Sequence, residues 1–243
     1  AGGTVNLLCN VTPTGPHNIA ALPSGTYTLD LAGHKLSVGT DAENPGCFSS
    51  YENTALTITS SDGAGILNAE LYIHGDFKVA ANLSVEGLVE VYKSLDVDST
   101  SYVAPTFNGE VTVKNGGKLN AFERDAGEVR FAFPNKINTG GILRVTGNSS
   151  FEKLEIAAGA DVVLEGGNFA NRIYTSDGSP LAQYLGEDYA FADTVTDAIQ
   201  NANVSSLGNV TVVEHTAHTS VDADTGKCAC GKQMLAVRIA RDN

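Results

Sequence analysis

Residues 71 to 100, LYIHGDFKVAANLSVEGLVEVYKSLDVDST, divide into five successive hexads, each beginning apolar, any residue, apolar. The apolar pairs are Leu71/Ile73, Phe77/Val79, Leu83/Val85, Val89/Val91 and Leu95/Val97. A period of two within each hexad predicts a short strand, because alternate strand residues face opposite sides. The reset every six residues means that the chain turns a corner and starts again. A strand with two inward side chains cannot build a sheet face alone, but a coiled chain can stack each pair on the one below. The pattern therefore predicts a β-solenoid. An antiparallel meander fits less well, since its strands run nearer 5–6 residues and are joined by tight turns at regular intervals.

If three hexads make one coil, residues eighteen apart are stacked. Lys78 then lies on Asp96, Tyr72 on Glu90 and His74 on Tyr92. The same apolar pairing recurs less regularly as Leu29/Leu31, Leu36/Val38, Leu56/Ile58, Val111/Val113, Leu143/Val145, Leu154/Ile156 and Val162/Leu164, separated by Gly, Asn and Asp. Irregular spacing is expected where coils carry loops of different length.

After Phe169 the pattern changes. SDGSPLAQYLGEDYAF predicts a short helix with Ser179 as N-cap, Pro180 in the first helical position and Gly186 at its end. TVTDAIQNANVSSLGNVTVVEH adds a predicted helical turn and then a strand from Val210 to Val213. This segment reads as a cap, since the last rung would otherwise expose apolar side chains and unpaired backbone. The expected division is residues 1–172 as solenoid, 173–213 as C-terminal cap and 214–243 as a Cys/His terminal element.

Composition supports an all-β fold: the 243 residues include 26 Gly and no Trp, and only 18% are charged. A net charge of −13 argues against nucleic acid and anionic membrane surfaces as partners. No apolar run reaches the roughly 18–20 residues that a membrane-spanning helix needs. The opening AGGTVNLLCN has neither an initiator Met nor a signal peptide, as expected of a piece of something longer. Sequons at Asn10, Asn82, Asn148, Asn203 and Asn209 would matter only in a eukaryotic secretory protein.

The densest chemical motif is HTAHTSVDADTGKCACG, which places His215, His218, Cys228 and Cys230 in the spacing H-x2-H-x9-C-x-C. Two imidazoles and two thiolates are a normal complement for structural zinc, and four protein ligands leave no position for a catalytic water. A disulfide using one or both of these cysteines, or free side chains in a tail, are the other readings. Cys9 and Cys47 read either as a disulfide across the first coils or as two buried free thiols. Elsewhere there is no Gly-x-Ser-x-Gly elbow, P-loop or dinucleotide fingerprint.

On the outward side of the regular section, Tyr72, His74, Glu90, Tyr92, Asp96 and Asp98 are the candidate binding residues, with Tyr102 nearby. Exposed aromatics anchor sugars and proteins, although scattered tyrosines and carboxylates are also what any solvated solenoid face carries.

The ends of the chain resemble pectate-lyase-like right-handed β-helix domains of large surface proteins of Gram-positive, host-associated bacteria. GGTVNLLCNVT followed by LPSGTYTLDLAGHKLSV is similar to their GGTV-x-LL strand and LDLNGH-x-I/L rung. LAQYLGEDYAFAD resembles their LLA-x-GYAF-x-D segment, and NVTVVEHTAHTSVDADTGKCACG their VTV, H-x-H and G-x-C-x-x-C-G finish. Ala32 stands where Asn is common, and the tail is Cys-x-Cys. The resemblance implies a right-handed parallel β-helix, with a left-handed hexapeptide helix as the alternative. It further implies a secreted or wall-attached, monomeric, non-catalytic module that serves as adhesin, host-protein-binding surface or rigid spacer, with a host glycoprotein or glycan as partner. The alternative is a carbohydrate-active enzyme or its glycan-binding accessory domain. Polysaccharide lyases of the related fold hold Ca²⁺ with carboxylates and use a Lys or Arg base, for which the candidates are Glu90, Asp96 and Asp98 near Lys93 and Lys78.

Overall fold

A computed structural model describes residues 2–12, 19–21, 23–38, 47–50, 52–80, 83–99, 105–108, 111–114, 118–123, 129–218 and 226–232. They form an all-β parallel solenoid of about 6 turns, with one 3-10 turn as the helical content of the described residues. The chain visits three faces in strict rotation. One face stacks Gly2–Asn6, Gly25–Asp30, Thr54–Thr59, Asp76–Val79, Ser94–Ser99 and Lys118–Glu123, all in parallel register. A second carries Lys35–Ser37, Gly65–Asn68, Leu83–Val85 and Thr106–Phe107. A third carries Ile19–Ala21, Cys47–Ser50, Glu70–Ile73, Val89–Val91 and Val111–Val113. Towards the C-terminus the corners tighten, and the long strands Ile142–Ile156 and Asp161–Thr175 each bend through all three faces.

All ten apolar residues of the five hexads are buried inside this coil. Lys78 pairs with Asp96 and Tyr72 with Glu90, so the eighteen-residue step holds there. It does not extend further: Leu95 lies on Leu119 and Val91 on Val113, because longer loops intervene at the corners. One tight corner explains its own sequence. Gly87 sits where a Cβ would come within 1.9 Å of the Ala69 carbonyl oxygen, so only glycine fits between these rungs.

The second face contains a column that the hexads did not reveal. Leu36, Leu67, Val85, Phe107, Phe131, Phe151 and Phe169 lie in register one above another. The rings of Phe107, Phe131, Phe151 and Phe169 stack at centroid separations of 5.0, 4.6 and 5.5 Å. Each such pair adds about 0.5–1.5 kcal/mol beyond the area it buries.

Phe191 closes the column edge-on at 6.2 Å from Phe169. It lies on Tyr189–Asp193, which pairs antiparallel with Val210–Glu214. That strand and Ser206–Leu207 run antiparallel to Asp161–Thr175, the last rung of the solenoid. The change from parallel to antiparallel pairing ends the repeat, and the strand predicted from Val210 is present.

One helical expectation is corrected. Leu181–Tyr184 is a single 3-10 turn whose N-cap is Pro180. Ser179 accepts side-chain bonds at its carbonyl from Thr175 and at its hydroxyl from Gln183, and does not cap the turn. Leu181 and Ala182 donate their backbone N–H groups to the carbonyls of Val204 and Ala202, and so knit the segment into the cap instead of a longer helix. The TVTDAIQ segment makes one turn, closed by the Asp197 N–H donating to the Asp193 carbonyl at 3.0 Å, and does not continue into a helix; the Asp193 carboxylate accepts from the N–H groups of Val195 and Thr196 and from the Thr196 hydroxyl. Such local bonds compete with a helix and favour a turn.

Candidate functional site

The cap positions the four residues of the Cys/His motif. His215 follows the last cap strand directly, and its N–H donates to the Asp188 carbonyl at 2.6 Å. Residues 219–225 lie outside the described residues. The chain is next described at Gly226, which adopts a φ of 67°. Cys228 to Gly231 then make a tight turn, with the Gly231 N–H donating to the Cys228 carbonyl at 2.8 Å and the Cys228 N–H to the Lys232 carbonyl at 3.0 Å. Gly231 has a φ of 90°, and a Cβ there would lie 2.8 Å from the Asn203 amide nitrogen. Asn203 in turn donates to the Gly231 carbonyl at 3.3 Å and accepts from Lys227 at 3.4 Å. The terminal element is thus docked on the cap, with Cys228 and Cys230 buried against Ala190 and Ile199.

The ligand atoms of His215, His218, Cys228 and Cys230 all lie within 4.8 Å of one another, and the group can hold a metal ion. His215 Nε2 is 3.3 Å from the Cys228 Sγ, and His218 Nδ1 is 3.7 Å from the Cys230 Sγ. The two imidazole rings meet edge to face at 4.9 Å. Burial holds the His215 imidazole below its ordinary pKa, with His218 and Lys232 acting in the same direction, which favours the neutral, ligating form. Burial pushes the Cys230 thiol up, although the backbone N–H of Lys232 donates to that sulfur and opposes the shift. Both cysteines are free thiols, so the disulfide reading is not realised.

One residue of this site escaped the motif. The Lys232 ammonium is buried with no hydrogen-bond partner. Its charge acts on both Cys230 and His215. An uncompensated buried cation costs several kcal/mol. The signal in the sequence is its place two residues after Cys230, in KCACGK.

The outward residues of the regular section divide between faces. Tyr72, His74, Glu90 and Tyr92 come together along the third face. The His74 and Tyr92 rings stack at 4.3 Å, and the Lys114 ammonium lies 5.9 Å from the Tyr92 centroid. Glu90 accepts from the Tyr92 hydroxyl at 2.7 Å and pairs with Lys114 at 2.6 Å. Burial opposes ionisation of Glu90, but the bonds from Lys114 and Tyr92 outweigh it and hold the carboxyl below its ordinary range. The Tyr72 hydroxyl is pushed up to about 12 by burial and by Glu70, to which it donates at 3.2 Å. An open hollow beside the stack is lined by Glu52, Asn53, His74, Tyr92 and Lys93.

Asp96 lies on the neighbouring first face and accepts from the Asn120 amide. Asp98 occupies the next outward position of the same strand, and its side chain lies outside the described residues, as does Tyr102. Lys93 is tied at the corner to Asp76 at 3.1 Å and to the Glu52 carbonyl at 3.0 Å. The third face continues with a second network that sequence reading missed. Glu155 accepts from the Tyr174 hydroxyl and pairs with Lys136 at 3.2 Å, while Arg172 and Lys153 lie over the Tyr174 ring at 4.5 and 5.2 Å. At the other end, Cys9 is exposed and Cys47 half-buried, 3.6 Å from Glu70; they are neither bonded to each other nor both buried.

The chain matches no family model, no curated protein and no solved structure. Among the described residues, no helix is long and apolar enough to cross a membrane.

Proposed function

We propose that this chain is a non-catalytic module of a secreted or wall-attached bacterial surface protein, a rigid β-helix that serves as adhesin, host-protein-binding surface or spacer. The observation that carries the reading is that three of the candidate acids and bases on its outward faces, Glu90, Asp96 and Lys93, are each held by another side chain. Glu90 is held by Lys114 and Tyr92, Asp96 by Asn120, and Lys93 by Asp76. A lyase base must instead be free to reach the proton that it removes.

The metal of the terminal element is zinc in a structural role. With Zn–S near 2.3 Å and Zn–N near 2.0–2.1 Å, a tetrahedral site has S···N edges of about 3.5 Å. The two short Cys···His distances, 3.3 and 3.7 Å, bracket that value. Four protein ligands leave no position for water, so the ion braces the fold and does no chemistry. His215, His218, Cys228 and Cys230 hold it.

The hollow beside His74 and Tyr92 is the place where this reading puts contact with a host glycan or glycoprotein. Incubating the purified chain with a panel of polysaccharides should release no product. Release that disappears in Asp96→Ala would overturn the non-catalytic reading in favour of a carbohydrate-active enzyme. A glycan array run beside a pull-down from host serum or mucus separates sugar from protein as the ligand.

A further inference from the structure

We propose that Lys153 and Arg172 form an anion-binding subsite on the third face, which takes a sulfate or carboxylate group carried by a saccharide. The inference rests on the surface-binding reading above and names the ligand chemistry of a second contact point, C-terminal to the hollow at His74 and Tyr92.

Charge is the first of two independent features at this corner. Lys153 and Arg172 are register partners on adjacent rungs, whose strands run about 4.8 Å apart. Like charges so placed repel one another and destabilise the pairing. The partner of Lys153 on its other side is Pro134, so no acid alternates with the cations in this column. Both cations also lie over the Tyr174 ring, Lys153 at 5.2 Å and Arg172 at 4.5 Å, which gathers them at one point. Among the described residues neither has a carboxylate within ion-pair distance, and the Arg172 side chain makes one hydrogen bond, from Nε to the Ser206 hydroxyl at 2.8 Å. Glu155, the acid nearest in register, is taken by the Tyr174 hydroxyl and by Lys136 at 3.2 Å, and Glu152 accepts from Asn171 at 3.4 Å. A chain with 28 acidic and 15 basic residues has carboxylates enough to pair both cations, yet none is placed there.

The second feature is the backbone. Between Phe131 and Pro134, and again between Phe169 and Arg172, the flanking strands carry two residues against the single Glu152 of the strand between them. Such bulges re-aim side chains and are over-represented beside active sites. The first is held by the Asn135 amide, which donates to the Phe133 carbonyl at 2.6 Å, and it leaves Phe133 48% exposed next to Pro134. An exposed ring offers an apolar surface to a sugar. The cations beside it supply charge-assisted hydrogen bonds to an anionic substituent, with the fork of Arg172 able to bind two oxygens at once. The net charge of −13 does not forbid this. Screening confines each charge to about 8 Å at physiological ionic strength, so a single anionic group meets the local cations, whereas a long polyanion also meets the acidic remainder.

The test titrates the full chain with sulfated lactose, sialyl-lactose and plain lactose, followed by NMR. An anionic probe should bind at least about 10-fold more tightly than plain lactose, and which of the two does so tells sulfate from carboxylate. Lys153→Gln and Arg172→Gln should each weaken that binding about 10-fold, while Lys153→Arg retains it. Arg144→Gln removes the same charge from a cation already paired with Asp161 and should leave binding unchanged. Plain lactose bound as tightly as the anionic probes, or an equal loss in Arg144→Gln, would overturn the subsite, since sugar contact or net charge would then explain the binding. Inorganic sulfate that binds as tightly as sulfated lactose would overturn the assignment to a saccharide. Binding of neither anionic probe overturns this inference alone; the surface-binding reading falls only if the glycan array and the pull-down are blank as well.

Discussion

At the scale of single residues, two kinds of side chain do the work, those that stack identically and those that cannot be replaced. Phe151 lies between Phe131 and Phe169 in the aromatic column, fully buried and stacked on both faces. Phe151→Ala removes both stacks and leaves a cavity that its neighbours cannot fill. It should cost about 3–5 kcal/mol of stability, read as a lower midpoint in denaturant unfolding. A loss below about 1 kcal/mol would mean that the column relaxes and contributes little. Gly87 and Gly231 are irreplaceable for a different reason, the near approach of Ala69 and Asn203. Part of this was legible in the chain: the hexads fixed ten inward residues, and KCACG marked a metal-type turn. The aromatic column was not, because Phe107, Phe131, Phe151 and Phe169 recur at unequal intervals. Only the coil lengths, set by loops, bring them into one line.

At the scale of elements, the third face is held by charge ladders laid across coils. Glu155 is the clearest case: the Tyr174 hydroxyl and then the Lys136 ammonium hold its carboxyl below the ordinary value of 4.5 against the cost of burial. A depressed folded value means that this contribution is present above 4.5 and is lost as pH falls through the folded value. Glu90 follows the same course, supported by Lys114 and Tyr92. Thermal unfolding midpoints should therefore fall when the pH is taken below the usual carboxylate range. Tyr174→Phe, which removes the leading donor to Glu155, should lower the midpoint at neutral pH and make the decline with acid shallower. If Tyr174→Phe and the parent lose stability in parallel down to acid pH, the ladder does not supply this dependence. The Lys136–Glu155 pair itself is half-exposed and worth at most about 1 kcal/mol. The hydrogen bond from tyrosine matters more than the ion pair.

At the scale of the whole molecule, stability passes from each rung to its neighbours, so the ends can loosen without the middle. The C-terminal end is closed twice, by antiparallel strands on the last rung and by the Cys/His element docked through Asn203, Ala190 and His215. Removing metal with a chelator, or substituting Cys228→Ser, should therefore release the terminal element while the solenoid keeps its cooperative unfolding. Limited proteolysis read by mass spectrometry should then show new cuts confined to residues 214–243. Cuts spread through the rungs would mean that the clip supports the whole coil. Such a molecule is a rod with an end stop. The period of the hexads by itself determined that the chain must coil, because two inward residues per strand can bury nothing unless rungs stack. The Cys/His spacing likewise determined that a metal-type site was available. Tertiary structure alone decided which rungs meet, since loops of unequal length set each step. It also decided that Glu90 and Lys114 join on one face while Asp96 turns to the next, and that the Lys232 ammonium is buried without a hydrogen-bond partner. The physical reason is that a strand pattern specifies which side of the chain faces inward, whereas contacts between coils depend on how far the chain travels around each corner.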